Sequence, residues 1–149
     1  MRRTCAVLGI AVLFGCGPKE EPAADTAATA IAPTISLADV AGTWTLRTMG
    51  ENSDSVLVTS EMTATADPSG WVQLLPGRPP TPIRVRVDGD SIMTETGPFD
   101  SVLRPGTQVS TNGVYRLVDG MLRGSLVAHY VTAGADSVVR LRVEGTRKQ

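Results

Sequence analysis

The sequence predicts an all-β domain, a small antiparallel up-and-down β-barrel of about eight or nine strands, and three observations predict it. From Leu37 to Gln149 apolar and polar residues alternate with a period of two, which puts one face of a strand on a core and the other in water. Gly 15 and Pro 10 punctuate the chain at short intervals, and the net charge is only −1; many turns favour strands over a helical bundle. Asp88-Gly89 and Asp119-Gly120 each stand between alternating runs, a hairpin signal. A meander of this size must manage its edges, and closure into a barrel removes them. A two-sheet β-sandwich is the alternative, because alternation alone does not separate the two.

The elements follow in order. A single helical turn is expected at Leu37 to Val40. GTWTLRTM (42–49) sets Trp44, Leu46 and Thr48 on one face, and the next run sets Val56, Val58 and Met62 against Thr59, Glu61 and Thr63. GWVQLL (70–75) is a short strand stopped by Pro76. In PIRVRVDG (82–89) Ile83, Val85 and Val87 point in, and Arg84 and Arg86 point out. The Asp88-Gly89 turn leads into DSIMTET, and Phe99 to Leu103 is expected to form a further short strand. Around Asp119-Gly120 the second arm places Leu122, Leu126, Ala128 and Tyr130 on one face, with Arg123, Ser125, Val127 and His129 on the other. The last strand points Val139, Leu141 and Val143 in, and Arg140, Arg142 and Glu144 out.

The N-terminus is of another kind. Arg2 and Arg3 precede an apolar run from Cys5 to Gly15, shorter than the ~20 residues a membrane-spanning helix needs, so it reads as a signal peptide. Its end, Leu13-Phe14-Gly15-Cys16, resembles the lipobox of bacterial lipoproteins, although Phe14 stands where a small residue is usual. The resemblance implies cleavage before Cys16 and lipidation of that cysteine, with palmitate-type acyl chains holding the protein on a membrane. Residues 1–15 are then signal peptide, and residues 16–36 are the lipidated cysteine and a disordered tether. That segment is rich in Ala, Pro, Thr and acidic residues and has too little apolar surface to offset its ordering entropy. Residues 37–149 are the barrel domain. By the same analogy Gly17 lacks the aspartate that retains lipoproteins at an inner membrane, which favours the outer membrane of the cell envelope. With Cys5 removed and Cys16 lipidated, the domain keeps no thiol.

Gly42-Thr43-Trp44 on the first strand resembles the G-x-W signature of lipocalin-like barrels. The resemblance implies that the Trp44 ring plugs one end of the barrel and that an arginine from the last strand, Arg140, Arg142 or Arg147, lies over it. It also implies an interior that either holds a small apolar molecule or is filled by side chains. The residues expected to line such a pocket or core are Trp44, Leu46, Ile83, Val85, Leu126, Tyr130, Leu141 and Val143. Inward Thr, Ala and Gly124 leave room for a cavity.

Several function classes lose their footing in the composition. Arg outnumbers Lys 12 to 2 but is scattered, and aromatics make up 4%, so neither a basic face nor a row of stacking rings suits nucleic acid. His129 is the one histidine, it shares its face with Arg123 and Ser125, and no Gly-x-Ser-x-Gly elbow occurs. No catalytic residue, metal site or cofactor is therefore expected. Asp88-Gly89-Asp90 reads as a turn rather than a calcium loop, and Glu61, Glu95 and Glu144 form no facing pair. The Arg84/Arg86 and Arg140/Arg142 pairs would form a basic stripe if their strands were neighbours. PGRPPTP (76–82) reads as a stiff connector or as a loop for an envelope partner. Two functions remain: a lipid-anchored, non-enzymatic envelope protein that holds a small apolar ligand, or a structural or protein-interaction module with a filled core. A cavity of ~300 Å³ or more favours the first.

Overall fold

The structure is a computed structural model that describes residues 34–132, 134 and 137–149. The expected signal peptide, Cys16 and the expected tether as far as residue 33 lie outside the described residues. A one-turn helix α1 (Leu37–Val40) leads into eight strands: β1 (Gly42–Gly50), β2 (Val56–Ala64), β3 (Val72–Leu74), β4 (Thr81–Asp88), β5 (Ser91–Asp100), β6 (Gln108–Val118), β7 (Met121–Tyr130) and β8 (Val138–Arg147). Each pairs antiparallel with the next, and β8 pairs back onto β1, so the sheet closes into an up-and-down barrel. The sandwich alternative is excluded by that closure.

The two ends differ. One end carries α1 and the tight hairpins; the other carries the β1–β2, β3–β4, β5–β6 and β7–β8 loops. At the first end Ser36 caps α1 through a capping box with Asp39, which satisfies otherwise orphaned helix N–H groups. The N–H of Ile35 donates to Gly89 O at 3.0 Å, and Ile35 packs on the core, so the chain crosses and seals this end. The lower core beneath it gathers Trp44, Leu46, Met62, Trp71, Ile92, Tyr115, Leu122 and Val143. A smaller cluster of Val109, Ala128, Tyr130 and Leu141 fills the upper half.

The structure corrects four details of the sequence reading. The β4–β5 loop is Gly89-Asp90, with Asp88 paired to Ser91. Gly89 alone has positive φ there (59°), the pattern of a turn needing glycine first; Asp119 (51°) and Gly120 (75°) are both positive, as a type I′ turn demands. Phe99 does not begin a separate strand, because β5 runs through to Asp100. Its pairing slips between Thr96 and Phe99, where Pro98 has no N–H to give, and Leu103 lies in the following loop. Val56 is 40% exposed, since the β1–β2 register shifts beside Met49. Finally, β4 and β8 are not neighbours, so the Arg84/Arg86 and Arg140/Arg142 pairs form no common stripe. Arg84 pairs with Glu95, and Arg142 with Asp54 and Glu144.

The inward glycines do not leave space. A Cβ on Gly113 or Gly124 would meet the Tyr115 ring, and one on Gly145 would meet Leu46 and Leu122. Small residues on the wall admit large side chains from the facing strands, and the lower barrel is full. Burial of the Tyr115 hydroxyl pushes its pKa up to about 12, with a hydrogen bond to Thr94 pulling the other way. The unfolded chain loses this proton near pH 10, so the Tyr115 contribution to stability is constant below that and is lost as pH rises from about 10 to 12. The loss is on the order of 2–3 kcal/mol at the upper end. Urea titrations at pH 9 and about 11.5 check this: Tyr115→Phe should lose much of the alkaline decline, and an equal decline in both proteins would place the Tyr115 proton elsewhere.

Candidate functional site

The open end combines an apolar interior with access to solvent. Alternation along β6, β7 and β8 brings Val109, Leu126, Ala128, Tyr130 and Leu141 to the inner wall, and Val58 and Leu75 close the side next to the short β3. Phe99, Val102 and Leu103 come over the mouth from the end of β5 and the loop after it. They enclose a cavity of about 60 Å³. Its polar lining is Thr48, Gln73, Ser101 and Thr111, apart from the Tyr130 hydroxyl. None of these four titrates near neutral pH.

Two arginines brace the lip. Arg78, from the proline-rich β3–β4 loop, donates to Ser101 O at 3.1 Å and stands 3.8 Å from the Asp100 carboxylate. The Ser101 hydroxyl in turn accepts from the Arg104 N–H at 2.9 Å, and Ser101 N–H donates to Thr107 O at 2.8 Å. Arg104 lays its guanidinium 4.2 Å over the Tyr130 ring, a cation–π contact. Arg78 thus ties PGRPPTP to the next loop, and Pro82 already belongs to β4. Exposed apolar residues also collect at this end: Val56, Leu57, Leu103, Val131 and Val138.

Of the eight residues expected to line a pocket or core, Leu126, Tyr130 and Leu141 face the cavity. Trp44, Leu46, Ile83 and Val143 lie in the lower core, with Val85 packed against it. Arg147 covers Trp44 at 4.4 Å; Arg140 and Arg142 do not. The cavity residues that the sequence did not single out are those near the loops, Leu75, Phe99, Val102, Leu103 and Val109, together with the two bracing arginines. Trp71 was also missed. It is 1% exposed, and its indole N–H donates to Thr65 O and Asp67 O, each at 3.0 Å; a tryptophan at the edge of a three-residue strand was the available signal.

The outer wall carries little chemistry. His129 is exposed there, opposite Ser110 and Val138, and among the described residues no three of His, Cys, Asp and Glu gather as metal ligands. Asp90, in the β4–β5 turn, has its carboxyl held below the usual range by the Ser91 hydroxyl and Arg116. No helix among the described residues is long and apolar enough to cross a membrane. Comparison with family models, with curated proteins and with solved structures finds no match.

Proposed function

We propose that this chain is a lipid-anchored, non-enzymatic protein of the bacterial cell envelope that takes a small apolar ligand into the open end of its barrel. The observation that carries the binding reading is the cavity beneath the Phe99–Leu103 segment, apolar on most of its wall and next to an exposed apolar rim. Its non-titrating polar lining supports binding over acid–base chemistry. The anchor rests on the lipobox-like Leu13-Phe14-Gly15-Cys16 and on the Ala/Pro/Thr-rich segment that follows. Gly17 favours the outer membrane.

A second reading, a structural or interaction module of the envelope, is favoured by the packed lower barrel. The cavity of about 60 Å³ is far below the ~300 Å³ of a drug-sized site. Both readings share the anchor, and fractionation tests it. Wild-type protein expressed in a bacterial host should sediment with membranes, and Cys16→Ser should move most of it to the soluble fraction. Retention of Cys16→Ser on membranes at the wild-type level would sink the lipoprotein reading.

A further inference from the structure

We infer that the open end of the barrel rests on the bilayer that carries the anchor, with its apolar rim in the lipid headgroup zone; this builds on the lipid-anchor reading above and needs no ligand. The exposed apolar residues are placed unevenly. Among the described residues eight large apolar side chains are exposed. Five of them, Val56, Leu57, Leu103, Val131 and Val138, stand in the open-end loops or at the strand ends beside them, and Val131 is 75% exposed. At the closed end only Val118 is exposed, beside the β6–β7 turn. Apolar residues scattered singly need no partner, but a group drawn from three separate loops at one end marks a contact surface.

The length of chain before the barrel says what meets that surface. Residues 17–33 link Cys16 to Thr34, the first described residue, just ahead of α1 at the closed end. At ~3.3–3.6 Å per residue this link reaches up to about 60 Å. β6, the longest strand, has 11 residues, about 37 Å at ~3.3 Å each, and strand tilt makes the barrel shorter than that. A chain anchored at Cys16 therefore lets either end meet the membrane, and the apolar rim selects the open one. A bilayer lies within reach of every anchored copy, and it asks for no shape complementarity from loops set around an open mouth. Half-exposed side chains bind weakly when the protein is free, and the link raises the local concentration of membrane. Charge does not drive the contact. The rim carries Glu51, Asp54 and Asp100 against Arg78, Arg104 and Arg142, and Asp136 lies outside the described residues. Arg142 holds Asp54, Arg78 stands 3.8 Å from Asp100, and Arg104 lies over Tyr130. Balanced and mostly paired, these groups give no pull toward anionic lipid and stay in the hydrated headgroup zone beside the apolar side chains.

The test expresses the full chain with Cys16 in place and moves it into phosphatidylcholine vesicles that hold a nitroxide-labelled lipid. One sample carries a thiol-linked fluorophore at Val131→Cys and the other at Val118→Cys; an acylated Cys16 takes no label. Quenching should be several-fold stronger at 131 than at 118, and raising salt from about 50 mM to 500 mM should leave it in place, because screening acts on charge and not on apolar contact. Leu57→Asp with Leu103→Asp should bring the signal at 131 down to that at 118. Should that variant fail to fold, the two labels in the otherwise unchanged chain still decide. Equal quenching at the two sites, or more at 118, overturns the proposal and leaves the anchor standing. Quenching that high salt abolishes overturns it as well, since the contact is then electrostatic. Label found on Cys16 shows that the cysteine is not acylated and overturns the anchor and the proposal together. Unquenched label at 131 with dimers in chemical cross-linking assigns the rim to a second copy and also overturns it.

Discussion

Trp44→Ala is expected to lower the free energy of unfolding by about 3–5 kcal/mol. The ring is wholly buried, so its removal leaves an unfilled space in a close-packed layer of Met62, Trp71 and Val143. It also supports the closed end. The indole N–H donates to Val40 O at 2.8 Å, which holds the end of α1 onto the barrel. Arg147 spreads over the ring at 4.4 Å and donates to Ala41 O and, at 2.7 Å, to Asp39 O. Gly42 lets the guanidinium pass: a Cβ there would stand 2.8 Å from its Nη1. Alanine at 44 therefore removes packing, a hydrogen bond and the platform for a cation at once. Urea unfolding followed by Trp71 fluorescence measures the loss, and a value under about 1 kcal/mol would mean that the ring plugs nothing. In a double-mutant cycle Trp44→Ala and Arg147→Met should show a coupling of roughly 0.5–1 kcal/mol, the usual range for such a contact.

The same contact shows how much of the fold was legible. Alternation in VVRLRVEGTR points Leu141 and Val143 inward, and with them Gly145 and Arg147, while Arg140 and Arg142 point out. Parity alone thus selects Arg147, the register partner of Trp44 across β1 and β8. Strand faces and the approximate strand number were readable because a period of two is local, whereas closure is a non-local pairing of β8 with β1 that alternation does not encode. What was not readable is set by loops and by cross-strand space. Leu103 and Arg104 lie where no alternation runs, and only the folded β5–β6 loop brings them to the mouth. Arg78 and Ser101 meet across 23 residues of sequence, a contact that no local pattern encodes. The candidate site is built from those loops, so it was less legible than the wall beneath it.

Gly124 was read as spare room, and its replacement should show the opposite. A Cβ there would lie 2.1 Å from Val114 O, 2.8 Å from Tyr115 Cδ1 and 3.0 Å from Tyr115 Cα. Two of these three atoms belong to the backbone of the paired strand β6, so no rotamer change relieves the clash. The strands must part at the Tyr115–Gly124 pair, between the lower core and the cavity. Overpacking typically costs about 1–3 kcal/mol where side chains can yield; here the expected loss for Gly124→Ala lies at or above the upper end of that range. Gly113→Ala is the comparison. Its Cβ would meet Thr94 Oγ1 and the Tyr115 ring, each at 2.6 Å, all side-chain atoms. Trimming Tyr115 to leucine should recover part of the Gly113→Ala loss and little of the Gly124→Ala loss, because the Val114 carbonyl remains. Circular dichroism melts of the four variants separate the cases. A Gly124→Ala protein that melts within a few degrees of wild type would show that β6 and β7 have slack, and the lower barrel would then have room for a ligand after all.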